Sequence, residues 1–232
     1  MDLTYIIFVL PAVIFSLIAS VMVKSTFNKY SMDFSSRGFT GAQAARTVLL
    51  ANGVTDVRIE PISGNLTDHF DPQAKVIRLS ESVYNNTSTA AIGVACHEAG
   101  HAAQYASDYF PIKIRTAIIP ITNIASRLAV PMIFIGLLLS ALSVAFLWIG
   151  YLGIIFFAVS TLFQLLTLPV EFNASRRAVK CIEENLLLTK DEVKATKKVL
   201  KAAAMTYVAA LAVSLMQLLR FVVLLGGNRR RN

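Results

Sequence analysis

The segment His97-Glu98-Ala99-Gly100-His101 carries the most specific chemistry in this 232-residue chain. On a helix, residues four apart lie one above the other, so two imidazoles can face one cation while Glu98 stands beside them. The spacing His-Glu-x-x-His is the one by which zinc hydrolases hold a metal and place a general base. Histidine occurs only at 69, 97 and 101. A shuffled chain of this composition would contain the pattern with odds on the order of one in a thousand. From Ser88, a suitable N-cap, to Gln104 the residues are mostly small or apolar, which predicts a buried helix. Two imidazoles and a carboxylate on such a helix need partners, and a metal ion supplies them.

A catalytic zinc generally takes three protein ligands and leaves the fourth position to water. A Gly and a third His placed three and six residues past the second histidine are excluded, because Gln104 and Ser107 stand there. The remaining candidates are His69 and the downstream acids Asp108, Glu171, Glu183, Glu184, Asp191 and Glu192. Glu171 stands apart because it directly follows a long apolar stretch, where a carboxylate at a membrane edge is costly unless bound or paired. Pairing with Arg176 or Arg177 is the alternative use of that carboxylate. With Glu171 taken as the ligand, His69 becomes a candidate contact to substrate or transition state, or a structural residue.

The elements that must position these groups are largely apolar. Hydrophobic residues make up 55% of the chain and charged ones 16%, and the apolar residues fall into blocks. Blocks at 3–23, 128–148, 151–170 and 202–225 are each about long enough to cross a bilayer, so the expected fold is a mainly α membrane protein with about four transmembrane helices. The first block has no positively charged start and no small-x-small cleavage site after it, which favours an uncleaved anchor over a signal peptide. The second and third read as a tight hairpin reversing at Ile149-Gly150, with Trp148 and Tyr151 at its tip. Segments 24–127 and 171–201 then share one side. They hold ten and eight Lys or Arg residues against four in the C-terminal stretch from Arg220 through the basic tail 226–232, which places both in the cytoplasm of a multi-pass cell-membrane protein. The net charge of +8 is accounted for by this topology and by anionic lipid, without nucleic acid as a partner. Cys96 and Cys181 lack any paired or CxxC spacing and are expected to be free thiols.

Between the first two spans, Ser25–Phe39 reads as a polar connector. Thr40 precedes a short amphipathic helix that Gly53 is placed to end. Val54–Ile62, Leu66–Phe70 and Val76–Leu79 read as strands, the last two joined by a turn at Asp71-Pro72-Gln73-Ala74. The expectation is a small α+β zincin-like catalytic region over 24–127, a short antiparallel sheet followed by the HExxH helix, with the helical segment 171–201 supplying the third zinc ligand. Such a sheet can offer an edge strand to an extended peptide or protein substrate.

The stretches GAQAARTVLLANGVTDVRIEP, LTDHFDPQAKVIRLSESVY, GVACHEAGHAAQ and TLPVEFNASRRA, spread from about residue 40 to 180, resemble the YugP-like family of bacterial membrane zinc metallopeptidases. More distantly, HEAGH followed by EFNAS is similar to the gluzincin pattern of HtpX-like membrane proteases, in which a Glu on a later helix is followed four residues on by an Asp. The resemblance implies that His97, His101 and Glu171 bind one catalytic Zn2+ and that Glu98 is the catalytic base. The chain departs from the distant pattern at Ser175, which stands where that Asp would be, so either Ser175 or Asn173 is left to support a zinc histidine.

These readings converge on metal-assisted peptide hydrolysis, with His69 and Tyr105 as candidate contacts for the developing oxyanion. A site-2-type intramembrane protease would need an Asp in another span, and none of the four apolar blocks contains one. A non-catalytic scaffold with structural zinc would need four protein ligands, hard to assemble from three histidines and two separated cysteines. A transporter would need charges along its spans, and these have almost none.

Overall fold

The computed structural model describes residues 3–229; Arg230 and Arg231 of the basic tail lie outside them. After a π-helical turn at Tyr5–Val9, the elements run α1 (Leu10–Tyr30), α2 (Gly41–Ala51), β1 (Arg58–Ile62), β2 (His69–Asp71), β3 (Val76–Ser80), α3 (Glu81–Tyr84) and α4 (Thr89–Ala106). Then follow α5 (Phe110–Leu139), a 3-10 turn at Val144–Phe146, α6 (Leu147–Glu184) and α7 (Lys190–Arg229). Four helices are long and apolar enough to cross a membrane: Tyr5–Tyr30, Phe110–Leu139, Val144–Glu184 and Lys190–Gly227. The chain is a mainly α membrane protein with a small sheet. It divides into two compact units, one comprising residues up to Ile18, Ile114–Leu168 and those from Thr206 on, the other Ala19–Lys113 and Pro169–Met205.

In the first unit, glycines let helix backbones meet. A Cβ on Gly136 of α5 would collide with the backbone nitrogen of Gly150 in α6, and one on Gly153 would lie 2.7 Å from the Ala129 carbonyl oxygen. Gly150 is therefore a packing glycine inside α6, where the sequence reads as a turn. The chain reverses at 140–146 instead, where Ser143 Oγ accepts a hydrogen bond from the Ala145 amide to start the 3-10 turn. Trp148 and Tyr151 lie in the opening of α6, their rings edge to face at 5.9 Å. α7 packs through Phe221, whose ring meets Phe157 at 5.3 Å, and Thr161 shares a 2.7 Å hydrogen bond with Ser214.

The second unit is built around α4. Ser88 caps this helix by accepting from the Ala91 amide. Ala90, Ala91, Ile92, Ala95, Cys96 and Ala99 are all fully buried, as the small apolar flanks predict. Against them pack Val48 and Leu49 of α2, Ile77 and Leu79 of β3, and Ala178, Ile182 and Leu200 from α6 and α7. Helix α2 opens with a capping box, Thr40 and Gln43 each bonding the other's backbone N–H, and ends at Gly53 with φ of +70°.

The sheet differs from the antiparallel one expected. Its order is β1-β3-β2; β2 and β3 form the antiparallel hairpin, with Asp71 Oδ1 accepting from the Gln73 and Ala74 amides at the turn, but β1 pairs with β3 in parallel. The cause is the connection from Ile62 to His69, which carries the chain past the central position to the far edge, so that β3 returns between the other two. Strand alternation predicts each strand but cannot reveal which neighbour it chooses.

The glycine contacts make a stability prediction. Gly136→Val is expected to lower stability by about 1–3 kcal/mol through overpacking. Thermal unfolding of the purified protein should register this, whereas Gly226→Val, with nothing within 4 Å of the added Cβ, should leave the midpoint unlowered.

Candidate metal centre

Two neighbouring turns of α4 and one turn of α6 meet where Gly100 has no side chain. A Cβ at Gly100 would lie 2.6 Å from the Ala174 carbonyl oxygen, so α6 reaches this distance only because residue 100 is glycine. One turn before Ala174, Glu171 projects toward both histidines of the motif. Its Oε2 lies 3.3 Å from His97 Nε2 and 3.5 Å from His101 Nε2, and its side chain is 3% exposed. One ligand atom from each of the three residues falls within a 4.8 Å group that could hold a metal ion. Neither Arg176 nor Arg177 pairs with Glu171; Arg177 Nε donates to Asn173 Oδ1 at 2.9 Å.

The outer nitrogen of each imidazole is also held. Gln104, fully buried one turn beyond His101, places its Oε1 3.0 Å from His101 Nδ1. Its Nε2 donates to the Val170 carbonyl at 2.8 Å and to Asn173 Oδ1 at 3.0 Å. A backbone carbonyl can only accept, so the amide orientation of Gln104 is forced and Oε1 must face His101. It follows that His101 carries its proton on Nδ1 and, as a neutral ring, aims the Nε2 lone pair at a carboxylate oxygen. Those two lone pairs repel unless a proton or a metal cation lies between them. Burial opposes protonation of His101, but Glu171, Glu98 and Gln104 together outweigh it and raise the ring's pKa above its usual value. His97 is held on its outer side by Ser175, whose Oγ lies 3.0 Å from Nδ1 and can either donate or accept.

This donor set suits zinc, which favours imidazole nitrogen with carboxylate oxygen. Four ligands at about 2.0–2.1 Å in a tetrahedron stand about 3.3 Å from one another, close to the nitrogen–oxygen separations here.

Glu98 follows His97 on the half-buried side of the helix, and its negative charge is felt by both His101 and Asp68. Asp68 was not singled out by the sequence. It accepts from the Ser80 amide at 2.8 Å and from Ser80 Oγ, tying the start of β2 to the end of β3, and burial raises its pKa. His69 lies on β2 with Nδ1 2.8 Å from the Thr67 carbonyl oxygen and Nε2 3.4 Å from an Arg78 guanidinium nitrogen, so it is not part of the His97–His101–Glu171 group. Tyr105 meets Phe70 of β2 edge to face at 5.5 Å. Gln104 is the positioning residue that spacing alone missed. Its signal was its place at i+3 from a candidate ligand, on the same helix face. Cys96 is fully buried and Cys181 is also buried; both are free thiols, and burial, with Cys181 adding to it, pushes the Cys96 thiol well above its usual pKa.

A two-histidine, one-carboxylate group on a buried HExxH helix, in a chain with four membrane-length helices, defines the class: the chain belongs to the family described as "Putative neutral zinc metallopeptidase", which it matches over residues 5–226. It is also 47% identical over 229 residues, 98% of this chain and 99% of the relative, to the "Putative membrane protease YugP" of Bacillus subtilis (strain 168). No solved structure matches it.

The approach of α6 to α4 makes a direct prediction. Gly100→Ala must push the Ala174 backbone away, costing about 1–3 kcal/mol and withdrawing Glu171 from the histidines. Zinc content after dialysis against a weak chelator should fall well below that of the wild type.

Proposed function

We propose that this protein is a gluzincin-type, zinc-dependent membrane peptidase, with one Zn2+ held by His97, His101 and Glu171 and Glu98 as general base. The single observation that carries the reading is the pair of imidazole Nε2 atoms converging on one buried carboxylate oxygen. When bound, zinc makes a water acidic near neutral pH and polarises a carbonyl. Glu98 would serve as the base that accepts a proton from the attacking water and delivers it to the leaving amine. Gln104 and Ser175 hold the outer nitrogens of the two histidines, so both rings present Nε2 with little reorganisation.

Among the described residues the group contains three candidate ligands, which leaves a position for water and favours a catalytic over a structural ion. An intramembrane site has less support, because α4 is not among the four helices long and apolar enough to span.

The substrate on this reading is an extended peptide or protein segment that pairs with the outer edge of β2. That strand has β3 on one side only among the described residues, and its Phe70 packs against Tyr105 of α4. His69 and Tyr105 are candidate contacts along that edge. The basic residues of 24–127 and 171–201 support a cytoplasmic catalytic region, with spans within Tyr5–Tyr30, Phe110–Leu139, Val144–Glu184 and Lys190–Gly227 and the basic tail 226–232 opposite.

Glu98→Gln, reconstituted in the full chain, is expected to retain zinc and to lose about 10²–10⁴-fold in cleavage of an unfolded protein. Retained zinc with undiminished cleavage would remove Glu98 from the mechanism. Gln104→Leu is expected to weaken zinc binding by about 10–100-fold in a chelator competition, because the Nδ1 proton of His101 loses its acceptor.

A further inference from the structure

The facing surfaces of α6 and α7 in the second unit enclose a groove of about 580 Å³, which borders the metal site at Ser175 and runs away from it between the two helices. Its floor is apolar: Phe172 and Val179 from α6, Leu200 and Ala204 from α7. Its rim is cationic. Arg176 and Lys180 line it from one helix and Lys197 and Lys201 from the other, each pair four residues apart and therefore on one face. The acid on the rim, Glu183, is taken by Lys197 at 2.7 Å. Lys180 has only a loose 3.7 Å contact to exposed Glu184, and Arg176 and Lys201 make no ion pair among the described residues. Two cations thus stand around an apolar trough without a matching anion, and a third, Lys180, is matched only loosely.

Apolar residues run the length of the trough, Val179 and Leu200 standing level with the cations, while the cations are confined to the end away from the apolar stretches. Phe172 and Ala204 lie where α6 and α7 adjoin or enter their apolar stretches, and Arg176, Lys180, Lys201 and Lys197 follow in successive turns of roughly 6 Å away from that end. An anionic head with a hydrocarbon tail matches this arrangement; an extended peptide, whose side chains alternate, does not. We infer that this groove binds an acidic phospholipid, its phosphate among Arg176, Lys180 and Lys201 and its acyl chain along Phe172, Val179, Leu200 and Ala204. Arg176 supplies a planar fork to the phosphate oxygens and the two lysines supply point charges. The inference stands independently of zinc binding and of peptide hydrolysis.

The test is native mass spectrometry of the full-length protein in detergent, with phosphatidylglycerol and phosphatidylcholine of identical acyl chains. The wild type is expected to retain phosphatidylglycerol about tenfold or more over phosphatidylcholine. Replacing Arg176, Lys180 and Lys201 together by Gln is expected to abolish that preference. Removing three exposed charges elsewhere, Lys24, Arg37 and Lys190, is expected to leave it intact. Equal retention of both lipids would overturn the inference, as would an unchanged preference in the groove variant or a loss shared equally by the control variant. Displacement of phosphatidylglycerol by glycerol phosphate at equal concentration would show that the apolar floor contributes nothing, and displacement by an acidic apolar peptide at equal concentration would make the groove a peptide site; either would also overturn it.

Discussion

The structure depends on the burial of one carboxylate between two imidazoles. Glu171 is almost wholly withdrawn from water and faces Nε2 of both His97 and His101. A charge in that position is expensive to keep unless opposite charge accompanies it, and removing its partners would leave several kcal/mol uncompensated, on the order of 3–5 kcal/mol for a broken buried pair. The surrounding packing serves this arrangement. Gly100 lets α6 come against α4, Gln104 reads the backbone at Val170 and orients His101, and Ser175 reaches His97. Each of these contacts joins α4 to the segment that follows residue 169, so the site and the seam between the two helices are one construction.

That construction explains why the motif alone is an incomplete description. On the proposed reading HEAGH supplies two donors and a base from one helix, but the third donor arrives about seventy residues later in sequence, after α5 and most of α6. Gly100 is an element of the motif for a steric reason distinct from chemistry, since any Cβ would meet the Ala174 carbonyl. The serine four residues past Glu171, where the pattern that this segment distantly resembles has an acid, still reaches the outer nitrogen of His97. A hydroxyl carries no charge, so it orients the ring without adding a negative charge to the group.

Much of this was legible from residue types and spacing. The N-cap at Ser88, the helix start after Thr40, the helix end at Gly53 and the Asp71 turn are local signals, and each appears in place. The meeting of Glu171 with the histidines was legible for a different reason: an acid at the end of an apolar stretch demands a partner. What could not be read was set by distant contacts. The parallel pairing of β1 depends on where the chain re-enters the sheet, and the role of Gly150 depends on Gly136 in another helix. Gln104 looked like the residue that failed a metzincin pattern, and its function emerged only once Val170 and Asn173 stood beside it.

The central claim is that His97, His101 and Glu171 form one metal centre. X-ray absorption at the zinc edge on the full-length protein, with total zinc counted in the same samples, addresses it most directly. The account predicts one zinc per chain, coordinated by two imidazole nitrogens and by oxygen at about 2.0–2.2 Å, and loss of that ion in Glu171→Ala. A zinc without histidine scattering, or an identical coordination sphere and zinc content in Glu171→Ala, would contradict it.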